Sequence, residues 1–115
     1  MKAIAIGVAA TVLAWSAAAQ DVTRQAVLLP DGRCMITAIT PKTVQGTIVI
    51  PFGTTFKTAP IVMVSQVWIG GGSLSAPETV TAISIDQFSD TSTAAAGNYY
   101  VSWIAIGPAR TKACK

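Results

Sequence analysis

The sequence predicts an all-β fold, an antiparallel sandwich or barrel of about six short strands. Three observations carry that expectation. Val, Ile, Thr, Trp and Tyr recur in short runs cut by Gly, Pro and Ser, which is strand composition with turn punctuation. No segment sustains a helical period. Parallel pairing needs crossover segments between strands, and the chain has none long enough.

The first segment is expected to be removed. Met1-Lys2 is a short positive start, Ala3 to Trp15 is an uncharged apolar run, and Ala17 and Ala19 flank Ala18 in an A-x-A pattern. This is a secretory signal over residues 1–19, cleaved after Ala19. Its run of about 13 residues falls short of the ~18–20 that span a bilayer as a helix. The mature chain, residues 20–115, then makes one domain with no membrane span.

From there each element follows in order. Gln20 to Arg24 is a polar lead, and Ala26 to Leu29 a short strand. Pro30-Asp31-Gly32 ends it, because Pro fixes φ and Asp-Gly permits reversal. Arg33 to Thr40 reads as a strand stopped by Pro41. Val44 to Phe52 is the next, with Gly46 as a bulge candidate and Pro51 at an edge or terminus. Pro60 opens Ile61 to Ile69. Gly70 to Pro77 is the longest breaker-rich stretch and reads as a surface loop, the kind that carries recognition. Thr79 to Phe88 is a strand, Ser89 to Asn98 holds a short strand and a turn, and Tyr99 to Ile106 is the last strand, closed by Gly107-Pro108.

Two cysteines, Cys34 and Cys114, sit near the two ends of the mature domain. Export places them in an oxidising space, so an intrachain disulfide is expected; free thiols and an intermolecular bridge stay open as alternatives. With no His and no C-x-x-C, neither a zinc site nor a redox pair fits.

Charge is sparse. Loss of Lys2 takes the net charge from +3 to +2, and Arg110, Lys112 and Lys115 form a basic tail. No basic stripe with interleaved aromatics occurs, so no nucleic-acid partner is expected. The last strand offers Tyr99, Val101, Trp103 and Ala105 on one face and Tyr100, Ser102, Ile104 and Ile106 on the other. Ile61 to Trp68 is similarly apolar on both sides. A half-wet strand alternates apolar with polar. These do not, so further copies of the chain are expected to cover the second face.

Three stretches resemble the H-type lectin family: GTIVIPFGTTFKTAPIVMVS (Gly46 to Ser65), ETVTAISIDQF (Glu78 to Phe88) and VSWIAIG (Val101 to Gly107). Phe52 and Phe56 ahead of Pro60, and the closing Trp103-Ile104-Ala105-Ile106, are the most specific parts. The resemblance implies a six-stranded antiparallel β-sandwich, homotrimers or hexamers, and N-acetylgalactosamine-type sugars bound at subunit junctions. That family's sugar contacts are an Asp, an Arg and a Trp-His pair. Here the equivalent loop is Ala94 to Asn98, no His exists, and Glu78 to Ser84 has no Arg, so none of these contacts carries over. The family's disulfide is also placed differently from Cys34 with Cys114.

Catalysis is not expected. Asp86 and Asp90 are four apart at a strand end, and Asp21 and Asp31 sit in the lead and a turn. Glu78 facing Asp86 across a cleft is the one pairing that would suit glycoside chemistry, and Asp86 with Asp90 the one place for calcium. Neither has a supporting motif, and no cofactor is expected. For binding, Trp68 beside the Gly-rich loop, and Asn98 with Tyr99 or Tyr100, are aromatic and amide groups suited to a sugar face and its hydroxyls; Trp103 reads as core. The sequence therefore leads to a secreted or surface carbohydrate-binding module. The alternative is a structural or oligomerisation domain of an envelope, secreted or phage-like assembly.

Overall fold

The computed structural model describes residues 21, 23–68, 76–94, 99–111 and 114, without the side chain of Trp68. The expected signal segment, the core of the Gly-rich loop and Asn98 lie outside the described residues.

Seven strands run through the described residues, one more than the six expected: β1 (Thr23–Leu28), β2 (Arg33–Lys42), β3 (Gly46–Pro51), β4 (Ile61–Trp68), β5 (Thr79–Ile83), β6 (Gln87–Ser92) and β7 (Tyr99–Pro108). They form two antiparallel sheets, ordered β1-β2-β7-β4 and β3-β6-β5. The fold is all-β, as its composition predicts, and the two sheets pack as a sandwich.

The elements differ from the sequence reading at several points, among them β1, which starts at Thr23 inside the expected polar lead, and β7, which runs on through Gly107 and Pro108 opposite Cys34 and Arg33. The expected strand Thr79 to Phe88 is two strands. Ser84 N–H donates to the Gln87 carbonyl at 2.9 Å and Ser84 Oγ to Asp86 Oδ1 at 2.8 Å, closing a tight turn between β5 and β6. The expected bulge at Gly46 falls instead between Val80 and Ala82. Pro41 does not stop β2. The β1 ladder ends at Thr23 opposite Ile39, while β7 pairs on to Lys42, so Pro41 has a strand neighbour on one side only, where the lost N–H is tolerated.

Strict alternation builds the core. Along β2, Cys34, Ile36, Ala38, Thr40 and Lys42 are buried and the residues between them are half-buried; β7 repeats the pattern from Tyr99 to Pro108. Ile48, Ile50 and Phe88 come from the facing sheet, and Phe52 and Phe56 from the segment after β3. Trp103 is the hub. Its ring lies 5.3 Å from Phe88, edge-on, and 5.9 Å from Phe52. Its Nε1 donates to Thr40 Oγ1 at 2.9 Å, and Thr40 donates to Asp21 at 2.6 Å. A buried indole with its N–H satisfied loses nothing to desolvation.

Cys34 and Cys114 are bonded, with Cα atoms 5.6 Å apart and a sequence separation of 80. Loop entropy gives an upper figure of about 4.5 kcal/mol for a closure of that length. Cys34→Ser is therefore expected to lower unfolding stability by 2 to 4 kcal/mol, within the ~2–5 typical of such removals, read as the shift in urea midpoint at constant m-value.

Candidate functional site

Two features stand out, one inside the sandwich and one outside it. Inside, the far ends of β2, β6 and β7 and the approach to β5 bring polar groups together between the sheets. Lys42 is fully buried, as is Asp90, and only 1% of the Glu78 side chain is exposed. Lys42 Nζ donates to the Gly46 carbonyl at 2.7 Å and to Glu78 Oε1 at 3.4 Å, and stands 3.5 Å from Asp90 Oδ2. Gly46 has φ of +100°, a backbone that L side chains rarely adopt. The other Glu78 oxygen, Oε2, accepts from Gln66 Nε2 at 2.9 Å and from the Tyr99 hydroxyl at 3.0 Å.

The two carboxyls are driven apart. Burial raises Asp90, the adjacent Glu78 carboxylate raises it further, and Lys42 pulls against both, leaving it at about 7. Burial also raises Glu78, but hydrogen bonds from Asp90 and Gln66, the charge of Lys42 and the Tyr99 hydroxyl outweigh it and hold it at about 2. Burial and the hydrogen bond to Glu78 push the Tyr99 hydroxyl to about 12. One proton shared between two buried carboxyls beside one ammonium is the arrangement these directions describe. Neither Asp90 oxygen has a hydrogen bond of normal geometry.

Outside, the register of the four-stranded sheet sets side chains in rows. Val27, Met35, Ile106 and Ile61 make one row, and Gln25, Thr37, Ile104 and Met63 the next. Ile61 is 70% exposed, Met63 55% and Val27 43%. All three belong to edge strands, Ile61 and Met63 to β4 and Val27 to β1. Beside them lies a shallow open depression of about 410 Å³, with Thr23, Gln25, Ile39, Ser102 and Ile104 in its lining.

The sequence-predicted ligand residues fall as follows. Tyr99 is buried and faces the interior cluster. Tyr100 lies on the opposite, outer face, half-buried, in a row with Pro41 and Val67. Trp68 pairs with Tyr99 through the backbone; its side chain, like Asn98, lies outside the described residues. Asp86 caps the β5–β6 turn while Asp90 points inward, so these two do not share a face toward solvent. Glu78 is engaged by Lys42 rather than opposed to Asp86. Sequence reasoning missed Lys42 and Gln66. The signal for Lys42 was its phase: it continues the inward series from Cys34 through Thr40, and only the assumed stop at Pro41 hid it.

Among the described residues, no helix is long and apolar enough to cross a membrane. No family model matches the chain, and no curated protein does. Among solved structures, it is similar to an N-truncated R1-type pyocin tail fibre, 17% identical, with a TM-score of 0.48 over 92% of this chain and 98% of that one.

Proposed function

We propose that this chain is a non-catalytic, self-associating domain of an exported assembly, and that its copies meet through the outer face of the four-stranded sheet. The observation that carries the reading is the exposure of Ile61, Met63 and Val27 in adjacent rows of that face. Contiguous apolar surface of this kind marks an interaction site. Open, apolar edge strands pair with other chains unless they are covered. Burying each of these side chains fully gains about 1.5–3 kcal/mol relative to leaving it exposed. The leader-like residues 1–19 and the disulfide support export. The few carboxylates argue against an enzyme, since Glu78 and Asp90 are sealed inside rather than lining a cleft.

A carbohydrate-binding reading, N-acetylgalactosamine-type sugars included, has less support. Of its aromatic candidates, Tyr99 is committed to the interior and Tyr100 faces away from it.

The test is mass by light scattering across a concentration series. The wild-type chain is expected to be a homo-oligomer, three copies being the number the lectin resemblance suggests. The pair Ile61→Lys and Met63→Lys is expected to raise the dissociation constant by about 100-fold or more, because central apolar anchors cost ~1–2 kcal/mol or more each. A wild-type chain that stays monomeric at micromolar and higher concentration overturns the proposal. Retention on an N-acetylgalactosamine resin by that monomer would favour the sugar reading.

A further inference from the structure

We propose that Lys42 and Asp90 condense spontaneously into an intramolecular amide that ties the two sheets together, with Glu78 moving the proton. Lys42 is on β2 of the four-stranded sheet and Asp90 on β6 of the three-stranded sheet. The nucleophile stands 3.5 Å from Oδ2 of the carboxyl it would attack, which places the two groups side by side, as reaction within a held pair requires. Both are fully buried, so the orientation is held rather than sampled.

The surroundings suit the reaction. Gln66 and the Tyr99 hydroxyl fix Glu78 by Oε2, which leaves Oε1 turned to Lys42 Nζ at 3.4 Å. Asp90 is left without a hydrogen bond of normal geometry despite complete burial, an expensive arrangement for an ionised carboxylate. Opposite Asp90 in the ladders stand the apolar Ile48 and Val80. A site closed to solvent disfavours the reverse hydrolysis.

The step balances without any added reagent. Glu78 takes a proton from the Lys42 ammonium and frees its lone pair. Nζ attacks Cγ of Asp90 in its acid form, and a C–N bond forms. Glu78 returns the proton to the departing hydroxyl, the C–O bond breaks, and water leaves. As the amide nitrogen becomes neutral it gives its second proton to Glu78, so an ammonium, a carboxylate and a carboxylic acid become an amide, a water and a protonated Glu78. A buried ion pair with a large desolvation cost becomes a neutral amide, and oxidation states do not change. The raised pKa of Asp90 and the lowered one of Glu78 fit an acid electrophile beside a carboxylate base.

The experiment is intact-mass analysis and a tryptic map of the purified full chain with its disulfide reduced. The expected mass is lower than the sequence mass by one water. The map decides where the water was lost, because dehydration at Asp31-Gly32 would change the mass equally. An amidated Lys42 blocks cleavage after itself. The peptide that runs from Cys34 to Lys42 is then absent, and residues 34–57 appear joined to residues 58–110. Lys42→Arg and Glu78→Gln are expected to keep their full masses. Asp90→Asn is expected to condense with loss of ammonia instead, which keeps the proposal testable where a charge-removing variant fails to fold. Full wild-type mass with a free Cys34 to Lys42 peptide overturns it. So does a folded Glu78→Gln chain that condenses as completely as wild type. An unreacted Asp90 would also titrate. Its folded pKa lies above its ordinary 3.8, so its contribution is present below that value and lost as pH rises through about 7; such a loss in the wild type counts against the amide.

Discussion

Trp103→Ala is expected to cost about 3–5 kcal/mol, the range for deleting a large aromatic from a packed core, and so to consume much of the ~5–15 kcal/mol that holds a small domain folded. The reason is where the ring stands. It is fully enclosed, it touches Phe52 and Phe88, and both of those come from outside its own sheet. Phe52 in turn stacks on Phe88 at 5.6 Å and meets Phe56 edge-on at 5.1 Å. Removing Trp103 therefore opens a void against two rings that are themselves held by a stacked and an edge-on neighbour and cannot both move to fill it. It also takes the Nε1–H from Thr40 Oγ1, which keeps only its bond to Asp21. Trp103→Phe separates the two contributions, and about 1 kcal/mol of the loss should persist in it, the ordinary worth of a hydrogen bond. Chemical denaturation followed by far-UV signal measures both. An alanine variant within about 1 kcal/mol of wild type, the size of one hydrogen bond, would show that the sheets are held together elsewhere.

Lys42→Ala is expected to be comparably damaging, by about 3–5 kcal/mol, because without the lysine, free or amidated, the buried carboxyls are left uncompensated. Here the remainder is a pair of carboxyls, Glu78 and Asp90, sealed between the sheets. Without the ammonium at least one must stay protonated, and its pKa moves further above the ordinary carboxylate values of 3.8 and 4.5. The sign follows directly. A carboxyl raised on folding binds more protons in the native state, so stability falls as pH rises. The variant should thus be closest to wild type in mild acid and lose ground steadily toward neutral and basic pH. Thermal midpoints across a pH series measure this. The combined change Lys42→Met, Glu78→Gln and Asp90→Leu should recover much of the loss, since whole buried ionic groups are often replaced by apolar ones at little cost. A pH-independent deficit in Lys42→Ala would mean that the lysine acts through its methylenes and not its charge.

Much of the architecture was legible because it depends on period and punctuation. The inward series of β2 and β7 follows from alternation alone, and the Pro30-Asp31-Gly32 turn from its residue types. It is closed by Leu29 N–H to the Arg33 carbonyl at 2.7 Å. The apolar outer rows were readable in part: Ile61, Met63 and Ile106 were legible on β4 and β7, while Val27 on β1 joins them only through the register. The β5–β6 turn was not. Ile85 keeps the apolar alternation running through it, and the reversal is made by hydrogen bonds from Ser84 to Asp86 and Gln87. The interior cluster was the least accessible. Lys42, Gln66, Glu78 and Asp90 are far apart in sequence, and a lone lysine or glutamate near a strand end ordinarily reads as a solvated tip. Their convergence depends on which strands neighbour one another, and local pattern does not encode that. Tyr99 divides the same way: alternation sets it on the face of Val101 and Trp103, inward, with Tyr100 outward, but its partner Glu78 follows only from the neighbouring strands.

The bond between Cys34 and Cys114 also decides how the molecule answers a pull. Tension applied to the two ends of the chain runs from the early residues into Cys34, crosses the sulfur bridge and leaves at Cys114. Strands β3 to β7 lie within the bypassed loop and carry none of that load. Only β1 and the turn after it are in line to peel away. At 3.3–3.6 Å per extended residue, the sequence separation of 80 between the cysteines withholds roughly 270 Å of slack, which a stretched chain would release only under a reductant.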